Sequence, residues 1–219
     1  LYELASAYIR ENKFNQAIET YNRLLEKFQI SPYKAKALLN KGLILYNTEK
    51  FELAREVLEN LAVSFKGYAV AQQALITLRE IAVDEGNVSG FGKWIRSQGL
   101  TAFTDVELEK TAFIAAEKRF LEGNSNAAER LLTEYLENYP QGIYLISATY
   151  YLGELFYEKQ DFNKAKMAFK GLTNGPVSNY SEKALVRLIT IFKNQSQLDQ
   201  ALPYLEKLDS IASFNENKN

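Results

Sequence analysis

The sequence predicts an all-α protein built from repeated helical hairpins, and the clearest example is the stretch from 148 to 172. Mostly apolar residues recur there at the three- and four-residue spacing that places them on one face of a helix. These faces comprise Thr149, Leu152, Gly153, Phe156 and Tyr157 on the first helix, and Phe162, Ala165, Phe169 and Leu172 on the second. The polar residues 158–161 between the two helices predict a turn.

A small residue lies on the inner face of each helix of this hairpin, Gly153 on the first and Ala165 on the second. Small residues let two helix backbones approach closely. Since a mid-helix glycine costs about 1 kcal/mol relative to alanine, close packing is the best reason to keep one. Both positions recur: 37 residues separate Ala17 from Ala54, Ala128 from Ala165, Ala5 from Gly42, and Ala116 from Gly153.

This order of residues, with Leu152-Gly153 in the first helix and Ala165 and Phe169 in the second, resembles the tetratricopeptide repeat (TPR). The resemblance covers about residues 1 to 212 and implies a right-handed α-α superhelix of about six hairpins. We expect a single solenoid with repeats at about 1–30, 31–66, 67–98, 104–140, 141–177 and 178–212, the fifth closed by Pro176, and a frayed tail at 213–219. Because Leu1 already lies inside a helical pattern, we expect a fragment of a longer protein.

The third repeat departs from this pattern. Arg79 occupies the small position of its first helix and Phe91 that of its second, so the same close crossing cannot form. Gly90 and Gly92 weaken the second helix. We predict a shorter second helix, with Trp94 filling the wider gap; the alternative is a hinge or a contact surface around Trp94.

Composition excludes several classes of function. The chain has 219 residues, neither His nor Cys, and 26 Lys and Arg against 27 Asp and Glu. Ser-His-Asp and Cys-His catalysis, disulfides, and thiolate or imidazole metal sites are therefore excluded, and the near-neutral charge argues against a general nucleic-acid binder. The most apolar run, 143–157, is too short to span a bilayer. We expect a non-enzymatic protein without a cofactor, a nucleic-acid partner or a transmembrane segment in this chain.

In TPR proteins the first helices line a concave groove, and the resemblance implies which residues of this chain face it. The implied groove would be aromatic with an acidic edge, suited to an apolar peptide or helix of a protein partner that carries a few basic groups. Its residues are Leu39, Leu43, Tyr46, Phe113, Glu117, Phe120, Tyr150, Glu154, Tyr157 and Glu158. The alternative for Phe113, Phe120 and Tyr157 is that each ring packs partly against the next repeat.

Glu154 and Glu158 are four residues apart and could be read as a pair of acid and base carboxylates. Such catalysis needs a closed pocket and environments that separate the two pKa values. An open groove offers neither, so we expect both to be solvated groove charges. The clamp by which some TPR proteins grip a C-terminal carboxylate is not expected either, because its fifth and ninth positions would need Lys and Asn, and Tyr150 and Glu154 stand there in repeat five.

Two connections between repeats resemble those of a narrower group of TPR proteins. Tyr139-Pro140-x-Gly142-x-Tyr144 and Pro176-x-Ser178-x-Tyr180 resemble TPR units of bacterial envelope proteins, namely outer-membrane assembly lipoproteins and TolA-binding proteins. Residues 85–100 and 103–124 resemble large TPR lipoproteins of Bacteroidetes. The resemblance implies a scaffold in a bacterial envelope complex, at a periplasmic or outer-membrane-associated location. Two alternatives stay open: a glycan-binding lipoprotein in which Trp94 and groove tyrosines stack on sugars, and a self-assembly module that forms homo-oligomers.

Overall fold

The computed structural model describes residues 1–175 and 177–216, and it describes side chains as far as residue 211. Within these residues the chain forms twelve α-helices and no strand, which confirms the all-α fold class. The helices are α1 Tyr2–Arg10, α2 Phe14–Lys27, α3 Lys34–Asn47, α4 Phe51–Ser64, α5 Ala69–Glu85, α6 Val88–Ser97, α7 Asp105–Leu121, α8 Ser125–Asn138, α9 Leu145–Glu158, α10 Phe162–Thr173, α11 Asn179–Asn194 and α12 Leu198–Glu216.

The chain forms two compact units, residues 1–111 and the described residues from 112 onward. In the first unit each helix from α1 to α6 packs against the next, and the first helices α3 and α5 also contact each other. In the second unit α8 to α12 pack in the same sequence, and the first helices α9 and α11 meet. Each unit is therefore a stack of TPR-type hairpins. The single continuous solenoid with the predicted repeat boundaries stays a prediction.

Every hairpin turn contains one residue in the left-handed conformation, which ends the first helix. In the third and fourth hairpins this residue is Gly86 or Gly123, and in the others it is Asn12, Glu49, Gln160 and Ser196. The next residue donates its N–H to a carbonyl five residues back, as Asp161 does to Phe156 (2.9 Å) and Lys50 to Leu45 (2.9 Å). This is the hydrogen bond of a Schellman motif. The six turns therefore share one backbone geometry, although the residue at the left-handed position changes.

Helix caps use the residues that come after these turns. Asn87, Asn124 and Asp161 each accept a hydrogen bond from the backbone N–H three residues on, at 3.2 to 3.3 Å. Such caps satisfy donors that the first turn of a helix leaves free. Of the first helices, α7 begins with a reciprocal pair in which Thr104 N–H donates to Glu107 (2.8 Å) and Glu107 N–H donates to the Thr104 hydroxyl (3.2 Å).

The small residues lie where the two helices of a hairpin come closest. A Cβ atom on Gly42 would lie 2.4 Å from Leu58, and one on Gly153 would lie 2.6 Å from the ring of Phe169. Both neighbouring side chains are fully buried, so neither has room to move aside. The alanines at the equivalent positions are also fully buried: Ala5, Ala17, Ala54, Ala116, Ala128, Ala165 and Ala201.

The third hairpin lacks this close crossing. Its second helix α6 has 10 residues, fewer than the 12 of α10 or the 14 of α2, α4 and α8. Phe91 is buried at the small position, while the Arg79 guanidinium lies over the ring of Phe103, 5.3 Å from its centroid. Trp94 is only half-buried, and a cleft of about 140 Å³ stays open beside it. Trp94 thus does not fill the gap.

The end of the chain differs in detail from the sequence-based expectation. Helix α12 continues to Glu216, so residues 213–216 of the predicted frayed tail have a helical backbone. The remainder of that tail, 217–219, and Pro176 lie outside the described residues. Among the helices that the structure describes, none has the length and apolar character needed to cross a bilayer.

Replacing Gly153 with Ala should destabilise the protein, although alanine is the better helix former. The new methyl group would overlap the buried ring of Phe169, and overpacking of this kind costs about 1–3 kcal/mol. Gly171→Ala is the matched control, because a Cβ there meets no described atom within 4 Å; it should raise the free energy of unfolding by up to about 1 kcal/mol. Urea unfolding measures both, and equal shifts of the same sign would contradict the close approach.

Candidate functional site

The predicted groove residues of the first unit lie on α3. Leu39 and Leu43 are half-buried, and the ring of Tyr46 lies 5.8 Å from that of Phe51. The Tyr46 hydroxyl donates to Oδ2 of Asp84 on α5 at 3.1 Å. Burial, together with this hydrogen bond and the charge of Asp84, raises the pKa of Tyr46 to about 12. Tyr46 therefore links the first helices α3 and α5 through a hydrogen bond, and its ring also lies on their surface.

In the second unit, two of the predicted groove rings pack against the next hairpin. Phe113 on α7 is buried and stacks on Tyr144 with a centroid distance of 4.4 Å and an interplanar angle of 5°. Phe120 stacks on Tyr151 of α9 at 4.5 Å. The alternative considered for these two residues, packing against the following repeat, is therefore what the structure shows. Phe113 in particular offers a partner almost no surface.

A cluster of tyrosines connects the first helices of the second unit. The Tyr151 hydroxyl donates to Oε1 of Glu117 at 3.0 Å and lies 3.4 Å from the Tyr180 hydroxyl. The ring of Tyr150 lies 5.1 Å from that of Tyr180. Burial, the Tyr180 and Glu117 hydrogen bonds and the Glu117 charge raise the pKa of Tyr151. Together with Phe120 of α7, which stacks on Tyr151, these half-buried rings form an aromatic cluster across α7, α9 and the start of α11.

Glu154 is not a solvated groove charge, contrary to the sequence-based expectation. Its side chain is buried and accepts three hydrogen bonds from Arg187 on α11: two from Nε (2.8 and 3.1 Å) and one from Nη2 (2.6 Å). The same guanidinium lies 4.7 Å from the centroid of the Tyr157 ring. An ionised carboxylate can be buried when a guanidinium neutralises it in this way. Of the three predicted acidic groove residues, Glu158 is exposed, whereas Glu117 is half-buried and Glu154 is buried.

Exposed apolar side chains accompany these rings. Ile114 on α7 is 41% exposed, Ile146 on α9 is 38% exposed and Val186 on α11 is 48% exposed. They are β-branched residues on three successive first helices of one unit. Together with the half-buried Tyr150 and Tyr151 they define what we call the first-helix surface. Trp94, predicted as a secondary contact, belongs to the first unit, where it stacks on Phe91 at 6.4 Å.

Sequence reasoning missed Tyr151, Tyr180 and Arg187. A signal for two of them lies in the spacing, because Arg187 comes 33 residues after Glu154 and Tyr151 comes 34 after Glu117. Either distance is one repeat of 37 less about one helical turn, which brings neighbouring first helices together side by side. Opposite charges at this spacing could have identified the Glu154–Arg187 pair. In the part of the chain that the structure describes, no group of three acidic residues is arranged to hold a metal ion.

Comparison with known proteins identifies repeats in both units. Two family models described as tetratricopeptide repeat match the chain, one over residues 2–78 and the other over residues 147–174. No curated protein matches the sequence.

Several solved structures are similar to the chain. MamA is 14% identical, with 97% of this chain and 96% of that chain covered and a TM-score of 0.47. PilF of Pseudomonas aeruginosa is 14% identical over 96% of this chain and 89% of its own, with a TM-score of 0.42. The C-terminal part of a TPR repeat-containing protein from Cytophaga hutchinsonii is 18% identical, with 98% of this chain and 80% of that chain covered and a TM-score of 0.43.

Replacing Arg187 with Met should destabilise the second unit by about 2 kcal/mol, because it leaves the buried Glu154 carboxylate without its partner. The double variant Glu154→Gln/Arg187→Met should cost less than the sum of the two single variants, since it leaves no buried charge. Urea unfolding of the four proteins completes the cycle. Strictly additive costs would show that the pair contributes nothing to stability.

Tyr46 should make stability depend on pH in alkaline solution. Its pKa is about 12 in the folded protein, against an ordinary value of 10.0. The stabilisation is therefore complete below pH 10 and is lost as the pH rises toward 12. In Tyr46→Phe the free energy of unfolding should fall less steeply across this range, as measured by urea unfolding at a series of pH values. An unchanged slope would contradict the raised pKa of Tyr46.

Proposed function

We propose that this chain, which belongs to the tetratricopeptide-repeat family, binds a segment of a partner protein on the first-helix surface of its second unit. Stacked hairpins of this family form protein-interaction scaffolds, and the fold of this chain is of that kind. The proposal concerns where and how the partner binds. It assigns no catalytic role, since the carboxylate with the strongest contacts, Glu154, is held in an ion pair.

The observation that carries the proposal is the series of exposed apolar side chains on successive first helices. Ile114, Ile146 and Val186 lie in water although each unit has a well-buried core. Exposed apolar side chains mark a site of interaction where they form a contiguous patch, and we propose that these three do so. Tyr150 and Tyr151 beside them present aromatic area with a hydroxyl group at its edge, and tyrosine is enriched at the energetic centres of protein interfaces.

The charges of the surface determine the kind of partner. Arg187 neutralises Glu154, and Glu117 is half-buried and accepts from the Tyr151 hydroxyl, so Glu158 is the exposed acidic residue of the predicted edge. Lys183 on α11 is exposed as well, so the surface carries charges of both signs. We therefore propose an amphipathic helix or extended peptide that binds through its apolar face. We do not expect binding to depend strongly on basic residues of the partner.

A bacterial envelope complex is the proposed setting, and the support for it is the sequence likeness of the connections between hairpins. The residues of that likeness have packing roles here. Tyr144 donates its N–H to the Tyr135 hydroxyl at 3.0 Å and stacks on Phe113, and Tyr180 contacts both Tyr150 and Tyr151. The likeness therefore supports a shared architecture of the connections, and the location is proposed by analogy with proteins that have it.

Ile146→Asp should abolish partner binding while leaving the fold intact, because it places a charge in the proposed apolar contact without touching the core. The matched control is Met167→Asp on the second helix α10, where the side chain is 75% exposed. Proteins from an extract of the source organism are captured on immobilised wild type and variants and quantified by mass spectrometry. A true partner should fall at least about tenfold with Ile146→Asp, and equally with Val186→Asp, but not with Met167→Asp.

Equal capture by all variants would contradict binding at the first-helix surface. Circular dichroism melting of each variant establishes that lost capture does not reflect unfolding. Sedimentation of the same proteins separates self-assembly from binding of another protein. If the wild type forms a homo-oligomer that Ile146→Asp dissociates, the surface binds a second copy of the chain and the proposal of a foreign partner is wrong.

A further inference from the structure

The irregular third hairpin leaves a cleft in the first unit, separate from the first-helix surface of the second. It lies between α4, α5 and α6 and has a volume of about 140 Å³. One wall is the indole of Trp94, which is half-buried and stacked on Phe91 at an interplanar angle of 21°. Arg55 and Glu59 of α4 and Glu85 of α5 also line it. A small space thus has both an aromatic ring and charged groups in its lining.

Most of the polar groups around this cleft are already bonded to each other. Arg55 forms ion pairs with Glu85 and with Glu52, the second at 3.2 Å. The side-chain oxygen of Asn87 accepts from the Gly90 N–H at 3.2 Å. The Arg55 charge is therefore paired within the protein, and the Asn87 amide oxygen already accepts a hydrogen bond.

Glu59 is the exception. Its carboxylate is half-buried and has neither a hydrogen bond nor an ion pair with any residue that the structure describes. Burial raises its pKa, and the nearby charge of Arg55 only partly opposes this shift. A carboxylate that loses hydration without gaining a partner is costly. A bound cation would remove that cost.

We propose that this cleft binds the end of a lysine side chain from a partner protein, with the ammonium group against Glu59 and the aliphatic chain along the indole of Trp94. An ammonium group forms strong charge-assisted hydrogen bonds with a carboxylate, and the aliphatic chain of lysine packs along apolar surface. One water molecule fills about 30 Å³ in the liquid, so the cleft has room for about five non-hydrogen atoms, the size of a lysine side chain.

The same features do not favour a sugar. The Arg55 charge is already paired with Glu52 and Glu85. The charged lining group without an ion-pair partner is Glu59, which accepts hydrogen bonds only, as long as it is ionised. A cation matches it and a hydroxyl group matches it less well. The site lies in the first unit, so it does not depend on the function proposed for the second.

The chain provides its own probe, since Trp94 is its single tryptophan. Nα-acetyl-lysine methylamide is titrated into the protein while Trp94 fluorescence and the indole N–H resonance are followed. The Nε-acetylated form of the same compound has a similar chain without the charge. We expect a saturable response to the charged compound and affinity at least about tenfold lower for the neutral one.

Two variants on α4 complete the test. Glu59→Gln should weaken binding of the charged compound about tenfold, and it should not lower the melting temperature, because it removes an unpaired half-buried charge. Glu56→Gln, on an exposed side chain one turn away, should bind as the wild type does. Trp94→Leu, followed through the Gly90 amide resonance, should bind more weakly than the wild type.

Several results would overturn the proposal. Equal binding of the charged and neutral compounds would mean that the cleft accepts any apolar chain. Unchanged affinity in Glu59→Gln would remove the carboxylate from the site. A response of Trp94 to glucose but not to the lysine compound would favour a glycan site instead. No saturable response to any of these compounds would show that the cleft binds none of them.

Discussion

The hairpins depend on a close crossing of their two helices, at which a glycine or alanine of one helix contacts a large side chain of the other. Gly42 faces Leu58 and Gly153 faces Phe169, and each of these neighbours is fully buried. A close crossing leaves few ways for two helices to pack, because side chains on both sides must interlock at fixed positions. It therefore determines which residues of α9 face α11, and so brings Glu154 to Arg187 and Tyr150 to Tyr180.

In the third hairpin this constraint is relaxed, and the packing around it changes. Phe91 takes up the space that a small residue leaves elsewhere, and α6 is short. The helices around it leave a gap that Trp94 borders without closing. Arg55 and Glu85, which form an ion pair with each other, line the gap. Departures from the local rules of a fold are places to look for function, and here the departure creates a cleft with an aromatic wall and an unpaired carboxylate.

Much of the fold could be predicted because its signals are local and periodic. The apolar faces, the small residues and the polar turns each lie within one hairpin, and the 37-residue spacing repeats them. The surface was harder to predict, because it depends on contacts between hairpins. Phe113 was expected in the groove from its position in the repeat, yet Tyr144 covers it. Glu154 was expected in water, yet Arg187 reaches it from the following first helix. The cleft beside Trp94 depends on the space that packing leaves, which no single residue specifies.

The left-handed turn residues have a consequence for how such a chain can change over time. Asn12, Glu49, Gly86, Gly123 and Gln160 succeed one another at intervals of 37 residues, even through the irregular third hairpin, and Ser196 comes after a further 36. An insertion or deletion inside a hairpin would move this residue out of register with the helix that it ends. Changes in length should therefore accumulate in the connections between hairpins, which already differ in length, as 65–68 and 98–104 do. The spacing of the turns therefore stays constant, while side chains between them can be substituted without loss of the fold.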